Sequence, residues 1–483
     1  MIFVNIYGIG WGDNAPMDRM KPTSEIVVSP ELVERFDIAG PRYTSYPTAD
    51  RFLPDGWGAH LAHALGSRAR TLGHAPLSLY VHLPFCASVC YYCACNKVIT
   101  KDHGKVSEYL RYLEQEMDLV APLIGAGHRQ VAQLHLGGGS PTFLDDDELT
   151  QLMSLLAQRF ELLPDMERSI EIDPRTVTPK RLAHLRTLGF NRVSFGVQDF
   201  DPRVQKAVHR VQPFEQVQSL VEEVRRLRFD SINLDLIYGL PYQTLESFQK
   251  TVDQVLTIQP DRIALYAYAH LPARFKPQRR IDAETLPAVA TKVQMMDQAI
   301  HAFMAHGYDY IGMDHFALPE DQLAKVKRDG RLQRNFQGYH THAGADLLGF
   351  GVSAISQVGA AYSQSVKTLE AYYAALDAGK FPVERGLTLE SDDLLRREVI
   401  MSLMCQGRIA FETIEQNYGI DFATYFQDAL ERLQEFEHEG LLIRTLAGLE
   451  VSKAGWFFVR PMAMSFDKYL WLHQDHQRFS KVL

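Results

Sequence analysis

The sequence is poor in cysteine for its length. It has five cysteines among 483 residues, and four of them lie close together, so they do not form the disulfide framework that staples small secreted proteins. We therefore expect a reducing compartment, the cytoplasm. Cys405 lies in a stretch rich in methionine and leucine and is predicted to be a buried thiol.

Long apolar runs and an excess of basic charge are also missing. The best candidate for a membrane span, residues 347–361, is broken by glycines and serines and is shorter than the roughly 18 to 20 residues that a span needs. The net charge of -9 gives no long-range attraction for nucleic acid. The first residues lack the basic flank of a signal peptide, so we interpret residues 1–20 as a mobile tail or an upstream start.

The most informative feature that is present is a group of four cysteines within ten residues, Cys86-Ala-Ser-Val-Cys90-Tyr-Tyr-Cys93-Ala-Cys95. Three thiolates at C-x3-C-x2-C spacing can hold a [4Fe–4S] cluster and leave one iron open for a substrate or cofactor. A zinc knuckle and unliganded core thiols are the alternatives. Zinc usually takes two separated Cys/His pairs, and this run has no second pair.

Short β-rich segments alternate with amphipathic helical stretches, a pattern that predicts parallel βα units. With the cysteine loop directly after the first strand, we predict a TIM-like partial (βα)6 barrel whose active site lies where strands end. A further strand is expected near residues 308–314. The six predicted strands are Leu77–Phe85, Val131–Leu136, Ser169–Asp173, Arg192–Val197, Ser231–Tyr238 and Arg262–His270.

Apolar residues at steps of three and four predict two helices that pack against this sheet. One carries Val106, Leu110, Leu113, Met117 and Val120 and is expected to end at Pro122. The other carries Val289, Val293, Met296, Ile300 and Phe303. The chain is too long for one typical core, so we predict an N-terminal arm or lid (1–50), a catalytic barrel (51–370) and a mainly helical C-terminal domain (371–483).

Polar residues inside the predicted strands indicate a ligand site, because a buried ionisable group is costly without a partner. Alternation along the strand directs Asn233 and Asp235 to the barrel interior, and Glu171 repeats this arrangement. These carboxylates could accept hydrogen bonds from a nucleoside cofactor or from a neighbouring arginine. The glycine run Gly137–Gly139 would let the backbone approach a ligand with bare N–H and C=O groups.

The cysteine spacing resembles that of the radical S-adenosylmethionine enzymes. The resemblance implies that S-adenosylmethionine binds the open iron through its amino and carboxylate groups. It also implies that an electron from the reduced cluster cleaves the sulfonium to a 5′-deoxyadenosyl radical. Gly137-Gly-Gly-Ser-Pro-Thr142 resembles the segment that binds the methionine amino group in this superfamily.

Seven segments in order along the chain resemble the oxygen-independent coproporphyrinogen III oxidase family. A similar ending, Ser465-Phe-Asp-Lys-Tyr and Arg478-Phe-Ser, extends the match to the C-terminus. The segments are Pro41-Arg-Tyr-Thr-Ser-Tyr-Pro-Thr48, Leu79-Tyr-Val-His-Leu-Pro-Phe-Cys86, Leu134-His-Leu-Gly-Gly-Gly139, Gly196-Val-Gln-Asp199, Asp235-Leu-Ile-Tyr-Gly-Leu-Pro241, Gly312-Met-Asp-His-Phe316 and Asn335-Phe-Gln-Gly-Tyr339.

This resemblance implies a step of anaerobic heme biosynthesis. Two propionates of coproporphyrinogen III would lose carbon dioxide and become vinyl groups, giving protoporphyrinogen IX. One [4Fe–4S] cluster and two S-adenosylmethionine molecules would be needed, together with a reduced electron donor such as flavodoxin or ferredoxin. The family leans towards a monomer.

The resemblance also implies roles for individual residues, and several have an alternative in residue chemistry alone. Cys95 matches a cysteine needed for activity without binding the cluster, although it could be a spare thiol. Tyr92 and Ile355 could equally be packing residues, and Arg210 a solvated surface charge. The implied cluster ligands are Cys86, Cys90 and Cys93. The implied contacts to the S-adenosylmethionine on the cluster are Tyr80, Tyr92, Gly138, Glu171 and Ile355. The implied second S-adenosylmethionine site comprises Gly139, Ser140, Gln198, Arg210, Asp235 and Ala269.

A substrate with four carboxylates calls for cations, preferably arginines. Candidates are Arg42 and the run Arg274, Lys276, Arg279 and Arg280, although a charge run is usually a solvated face. Tyr43 and Tyr46 could cover the macrocycle as a lid or pin the arm to the barrel.

Two other functions remain open within the same ancestry. A heme-binding chaperone would typically lack Cys95 and carry a His-Asn-x-x-Tyr-Trp motif in place of Asn335–Tyr339. A radical methyltransferase or cyclopropane-forming enzyme would act on another substrate, and the Arg42 and Gly312–Phe316 motifs argue against it.

Overall fold

The computed structural model describes residues 30–36, 38–54, 56–70, 75–342 and 344–473. The predicted tail, residues 1–20, and the motif at Arg478 lie outside the described residues. Within the described ranges no helix is both long enough and apolar enough to cross a membrane.

The chain forms two compact units. The larger comprises Thr48–Asp321 and His340–Glu390. The smaller comprises the described residues up to Pro47, Gln322–Tyr339 and the described residues from Ser391 onwards. The domain limits at residues 50 and 370 stay a prediction.

Strands and helices alternate through most of the larger unit. The strands, in chain order over both units, are β1 (Leu53–Pro54), β2 (Leu77–Leu83), β3 (Phe85–Cys86), β4 (Val98–Ile99), β5 (Gln130–Gly138), β6 (Glu161–Ile172), β7 (Arg192–Gln198), β8 (Ser231–Tyr238), β9 (Arg262–Ala267), β10 (Asp309–Gly312), β11 (His315–Ala317), β12 (Gln333–Asn335), β13 (Gly338–His340), β14 (Leu347–Phe350), β15 (Ile355–Val358), β16 (Ala361–Ser365), β17 (Val383–Thr388), β18 (Arg408–Ala410), β19 (Leu442–Arg444) and β20 (Gly448–Val451).

The α-helices, in the same order, are α1 (Pro30–Phe36), α2 (Trp57–Arg70), α3 (Gly104–Ile124), α4 (Asp146–Arg159), α5 (Pro179–Thr187), α6 (Pro202–Ala207), α7 (Phe214–Arg226), α8 (Leu245–Ile258), α9 (Val289–Ala305), α10 (Gln322–Arg328), α11 (Leu369–Asp377), α12 (Ser391–Gln406), α13 (Phe411–Tyr418), α14 (Phe422–Tyr425), α15 (Gln427–His438), α16 (Val459–Met464) and α17 (Lys468–His473). Short 3-10 helices span Ala49–Arg51, Ala126–His128, Pro141–Phe143, Pro174–Thr176, Lys276–Arg280, Ala283–Thr285 and Gly455–Phe458.

Six consecutive parallel strands confirm the predicted (βα)6 arrangement. They lie in the order β2, β5, β6, β7, β8 and β9, and every adjacent pair is parallel. Parallel strands in one sheet require crossover connections, which the intervening helices supply. All six therefore end at the same edge of the sheet, where their loops gather.

The sheet continues on both sides with further strands, of which the sequence pattern predicted only the one near residues 308–314. Beyond β2 it continues through β14, which is parallel to β2, to antiparallel β15, β16, β17 and β1. Beyond β9 it ends in an antiparallel hairpin of β11 and β10. The strand expected near residues 308–314 is thus half of a hairpin.

The predicted helical stripes lie largely in the core. The five stripe residues of α3 are buried, but the expectation that Pro122 ends this helix is wrong, because α3 continues to Ile124. Ile300 and Phe303 of α9 are buried, whereas Val289, its first residue, is 60% exposed. The apolar faces of both helices therefore serve packing.

The smaller unit has helices α12 to α17 and a three-stranded antiparallel sheet in the order β18, β20, β19. Its core includes Leu403, Phe422, Leu433 and Phe458. The sequence predicted its helices but none of these three strands. Cys405 is buried in α12, as expected.

Candidate active site

The cysteine loop leaves the carboxyl edge of the parallel sheet directly after β2. The hydrogen bond from Tyr91 N to Val208 O (2.9 Å) and the turn from Cys93 N to Cys90 O (3.2 Å) fix its path. Lys97 closes the loop by donating to the carbonyls of Cys93 (3.3 Å) and Cys95 (3.2 Å). The loop is thus held at the edge where the parallel strands end.

The chemistry of these sulfurs fits an iron–sulfur cluster. Burial raises the pKa of Cys86 to about 12, and negative charge on Cys93 and Cys90 raises it further. The hydrogen bond from Cys95 lowers the pKa of Cys93 to about 6, with a further contribution from Lys97. Three neighbouring thiolates repel one another, so a positively charged centre among them is needed to hold all three ionised.

Two arginines supply further positive charge beside the loop. Arg175 Nη2 and Arg210 Nη1 each lie 3.6 Å from Cys90 Sγ. Both guanidinium groups also bind Asp173, at 2.7 and 3.2 Å. Burial opposes ionisation of Asp173, but Arg210 and Arg175 hold its pKa below the usual value. Hydrogen bonds to cluster sulfurs are one of the ways in which proteins stabilise such clusters.

The alternative that Arg210 is a solvated surface charge is wrong. Its side chain is 8% exposed, and Nε and Nη2 donate to the carbonyl of Gly196 at 3.1 and 2.6 Å. A Cβ on Gly196 would lie 3.0 Å from Arg210 Nη2 and 2.8 Å from the Gln198 amide. Arg210 and Gln198 therefore converge at the end of β7.

A row of polar side chains crosses the strands beside this loop. Tyr80 on β2 stacks on His135 of β5, with ring centroids 5.9 Å apart. His135 contacts Glu171 of β6 (3.2 Å), and Glu171 also accepts from Gly138 N (3.2 Å). Burial opposes ionisation of Glu171, but His135 and the Gly138 N–H hold its pKa below the usual value. Glu171 is therefore a carboxylate inside the barrel.

His82 connects this row to the end of the cysteine loop. Its Nδ1 lies 3.1 Å from Tyr80 Oη and its Nε2 lies 2.9 Å from the carbonyl of Asn96. A Cβ on Gly138 would lie 2.8 Å from the His82 ring. His82, His135, Asp173 and Arg175 were not singled out from the sequence, although His82 and His135 lie in the quoted motifs.

Asp235 lies further across the sheet and points to the same interior. It accepts hydrogen bonds from Asn233 (2.8 Å) and Ser194 (3.2 Å). Burial raises its pKa to about 6, and the nearby charge of Glu171 adds to this effect. The predicted orientation of Asn233 and Asp235 is therefore correct.

The glycine run packs against the backbone that leads into the cysteine loop. A Cβ on Gly139 would lie 2.5 Å from Pro84 O. The N–H groups of Gly139 and Ser140 donate to Leu83 O (2.8 Å) and Phe85 O (2.9 Å). The expectation of bare N–H groups is therefore wrong for Gly138, Gly139 and Ser140, whose N–H groups all have protein acceptors.

The remaining predicted residues lie near this edge or on neighbouring strands. Tyr92 packs against the cluster of Val204, Val208 and Tyr268. Gln278 Nε2 bridges the carbonyls of Tyr92 (3.0 Å) and Ala269 (3.2 Å). Ser140 is buried, and Ile355 begins β15.

The candidate substrate residues come from both compact units. Tyr43 and Tyr46 are fully buried; Tyr43 donates to Asp467 (3.0 Å) and Tyr46 accepts from Lys468 N (3.2 Å). Both tyrosines thus contact the C-terminal segment of their own compact unit, and their role as a lid or as an anchor of the arm stays a prediction. The cations of the run at residues 274–280 are exposed, as a solvated face would be.

Two family models match the chain. The model of the radical SAM superfamily matches residues 80–255, and the HemN C-terminal domain matches residues 389–458. Together with the parallel sheet and the three-cysteine loop, these matches define a radical S-adenosylmethionine protein.

Similar proteins indicate which family within this class the chain resembles. The oxygen-independent coproporphyrinogen III oxidase of Pseudomonas aeruginosa is 50% identical over 455 residues, covering 94% of this chain and 98% of the relative. The protein of that name from Escherichia coli is 44% identical over 452 residues, covering 94% and 98%. The solved structure of coproporphyrinogen III oxidase (HemN) from Escherichia coli, a radical SAM enzyme, matches with a TM-score of 0.87 at 43% identity, covering 92% of this chain and all of that one.

This chain belongs to the oxygen-independent coproporphyrinogen III oxidase family. The family resemblance found in its motifs is confirmed over nearly the whole length of the chain. Membership favours the oxidase over the heme chaperone and the radical methyltransferase.

Proposed function

We propose that this chain catalyses the anaerobic oxidative decarboxylation of coproporphyrinogen III to protoporphyrinogen IX, converting two propionates to vinyl groups. The observation that carries the proposal is the three-cysteine loop at the carboxyl edge of the parallel sheet, beside Glu171 and Gly138, in a chain 50% identical to a coproporphyrinogen III oxidase. The bound cluster and S-adenosylmethionine would supply a 5′-deoxyadenosyl radical that removes a β-hydrogen from each propionate in turn. Carbon dioxide would then leave, and an external acceptor would take the one electron that remains, giving the vinyl group.

We propose Cys86, Cys90 and Cys93 as the cluster ligands. The guanidinium groups of Arg175 and Arg210 beside Cys90 would stabilise the negative charge of the sulfurs. Cys95 would act as an essential thiol without binding iron. Its contact with Cys93 supports a place beside the cluster.

The proposed contacts to the S-adenosylmethionine on the cluster lie along the polar row. Glu171, held as a carboxylate, could accept hydrogen bonds from an ammonium or a ribose hydroxyl. Tyr80 stacks on His135, which contacts Glu171, and the Gly138 N–H donates to Glu171 directly. Tyr92 and Ile355 would complete this site by packing.

The residues of the proposed second S-adenosylmethionine site lie on or after β5, β7, β8 and β9. Asp235 and Gln198 would offer acceptors, and Arg210 would offer a cation, since it is already anchored to Gly196. Gly139, Ser140 and Ala269 would line the same space. The convergence of Gln198 and Arg210 on Gly196 supports this grouping.

The proposal also includes the setting of the reaction. We propose that a reduced one-electron donor such as flavodoxin or ferredoxin supplies the electron, and that the enzyme works as a monomer in the cytoplasm. All five cysteines are unpaired, which suits a reducing compartment.

The decisive experiment is an anaerobic assay of the reconstituted protein with coproporphyrinogen III, S-adenosylmethionine and a reductant. We expect protoporphyrinogen IX, identified by chromatography and by a mass that corresponds to the loss of two carbon dioxide molecules and four hydrogen atoms. Omitting S-adenosylmethionine should abolish the product. Heme binding without any vinyl product would favour the chaperone instead, and a methylated product would favour the methyltransferase.

A further inference from the structure

Five exposed cationic or protonatable side chains lie in two segments that both contact the cysteine loop, and we name them the basic patch. They come from α6 and the residues after it and from the 3-10 helix Lys276–Arg280. These elements are far apart in sequence and lie in the same compact unit. The basic patch comprises Arg203, Lys206, His209, Arg279 and Arg280.

The patch lies directly against the cluster-binding loop. Tyr91, between the predicted ligands Cys90 and Cys93, stacks on the His209 ring with centroids 5.1 Å apart and an angle of 11°. The Arg280 guanidinium carbon lies 5.2 Å from the Tyr91 centroid. His209 Nδ1 lies 2.8 Å from the carbonyl of Val89. The ring of Tyr91 in the loop thus contacts both an arginine and a histidine of the patch.

A hydrophobic cluster fixes the patch to the loop. Val204 and Val208 next to the patch, and Ile281 after Arg280, pack in one buried group with Tyr91 and Tyr92. Because both patch segments share this core with the loop, their cations have fixed positions relative to the cysteines. A partner bound to the patch would therefore meet the cluster side of the molecule in a defined orientation.

The local charge is opposite to that of the whole chain. Residues 203–210 and 274–280 contain arginines, lysines and a histidine but no acidic residue, whereas the chain carries a net charge of -9. The exposed acidic residues nearest in sequence are Asp282 and Glu284, and the five side chains of the basic patch outnumber these two. A negatively charged partner would be repelled by most of the surface and attracted here, which directs its approach.

Surface aromatic rings support a protein as the occupant. Arg203 lies over the ring of Tyr242 at 4.1 Å, and that ring is 37% exposed. Arginine and tyrosine are the residues that most often carry binding energy at protein interfaces. Exposed arginines stacked on rings beside the loop are therefore suited to the rim of a protein contact.

We propose that the basic patch is the docking site of an acidic one-electron carrier protein that reduces the cluster. The inference rests on the proposed function, which needs an external electron. The reduced carrier loses one electron and the cluster gains it, and no bond or proton is exchanged. Because Arg280 and His209 contact Tyr91, a carrier bound to the patch would lie next to the loop that holds the cluster.

The test compares the parent protein with the double variant Arg279→Glu/Arg280→Glu, using purified flavodoxin as the probe. We expect the dissociation constant for flavodoxin, measured by calorimetry on the reconstituted enzyme, to rise at least tenfold. We expect kcat/KM for reduced flavodoxin in the turnover assay to fall at least tenfold. The rate with dithionite, a small chemical reductant, should stay within twofold of the parent.

A matched control carries the same change of charge elsewhere in the larger unit. Lys250→Glu/Lys380→Glu reverses two exposed lysines, on α8 and after α11, and should leave flavodoxin binding within twofold. Unchanged binding and turnover in the patch variant would overturn the inference. An equal loss with dithionite, or a higher KM for coproporphyrinogen III, would overturn it in favour of a substrate-carboxylate site. Absence of product from the parent with dithionite would instead count against the proposed function.

Discussion

At the residue scale, the interior of the barrel contains several ionisable groups whose charges are set by their neighbours. Asp173 is flanked by two guanidinium groups, and Glu171 by His135 and a backbone N–H, so both keep low pKa values despite burial. Asp235 has only neutral donors at hydrogen-bonding distance, and its pKa is raised to about 6. A buried carboxylate without a paired cation is costly, so Asp235 is the group in this row most ready to take a cationic ligand.

This difference gives a pH dependence for cofactor binding. Because Asp235 has a pKa of about 6, it is protonated below that pH and ionised above it. If it binds the second S-adenosylmethionine, the KM for S-adenosylmethionine should rise as pH falls from about 7 to 5. Asp235→Asn should have a raised KM that no longer changes over this range. Parallel profiles for parent and variant would contradict the role of Asp235.

A substitution of Cys93 tests the proposed assignment of the cluster ligands. Cys93→Ser replaces a thiolate, favoured by its low pKa, with a hydroxyl that binds iron poorly. We expect the visible absorbance of the reconstituted cluster and the cleavage of S-adenosylmethionine to be lost. Cys405→Ala, which removes the buried thiol of α12, is the control and should retain both. Normal cleavage in the Cys93 variant would overturn the ligand assignment.

At the element scale, the loop after β14 is tied to α3 by a buried carboxyl group. Glu116 Oε2 accepts from Gly351 N (2.8 Å) and from the hydroxyl of Tyr372 (2.7 Å). Gly351 has φ of 92°, and a Cβ there would clash with the hydroxyl of Tyr109. Only glycine fits this position, so the turn that leads to Ile355 depends on α3.

Glu116 should make stability depend on pH. Burial raises its pKa to about 7, against an ordinary value of 4.5. Between these values the unfolded chain releases a proton that the folded chain keeps, so stability falls as pH rises, by about 3 kcal/mol in total. Glu116→Gln does not titrate, so its Tm relative to the parent should increase from pH 4.5 to 7 and then level off, as measured by circular dichroism.

A matched variant on the same helix separates this effect from a general change of charge. Glu108 is exposed on α3, and Glu108→Gln should keep a constant Tm difference from the parent over the same pH range. If Glu116→Gln also shows a constant Tm difference from the parent, Glu116 is ionised over the whole pH range. The prediction that its buried carboxyl group is neutral would then be wrong.

The elements that the sequence predicted well are those that carry a local signal. The bounds predicted for β8, Ser231–Tyr238, agree with the structure, because a buried parallel strand is a continuous apolar run bounded by turn residues. β14 to β16 were missed because their strands are short and separated by glycine and serine. α3 passes Pro122 because only two residues follow that proline in the helix.

In the candidate site, too, residues with a local sequence signal were predicted, whereas contacts between distant segments were not. Asp235 and Glu171 could be placed from alternation along one strand, which is a local property. The contacts of Arg210 with Asp173 and Cys90 join residues 37 and 120 positions apart, and nothing in a single segment encodes them. The N–H groups of Gly139 and Ser140 donate to the backbone just before Cys86. These contacts could not be predicted either, because they also join residues far apart in sequence.

At the scale of the whole molecule, the parallel sheet collects residues that are far apart in sequence. Tyr80, Gly138, Glu171, Gln198 and Asp235 come from five successive strands, in the order in which those strands lie in the sheet. Since all five strands point the same way, their carboxyl ends form one continuous edge. Tyr80, Gly138 and Glu171 of the proposed first site lie on β2 to β6, and Gln198 and Asp235 of the proposed second site lie on β7 and β8. The two proposed cofactor sites would therefore be neighbours along this edge.

The two proposed cofactor sites and the two propionates lead to a prediction about stoichiometry. If each decarboxylation consumes one S-adenosylmethionine, two molecules of 5′-deoxyadenosine should form for each protoporphyrinogen IX. A product with one vinyl group should accumulate and then decline, because one barrel edge must process the propionates in succession. Chromatography of quenched time points measures all three compounds, and the cleavage seen without coproporphyrinogen III is subtracted. A corrected ratio of one would mean that S-adenosylmethionine is regenerated between the two steps, which the proposed consumption of two molecules forbids.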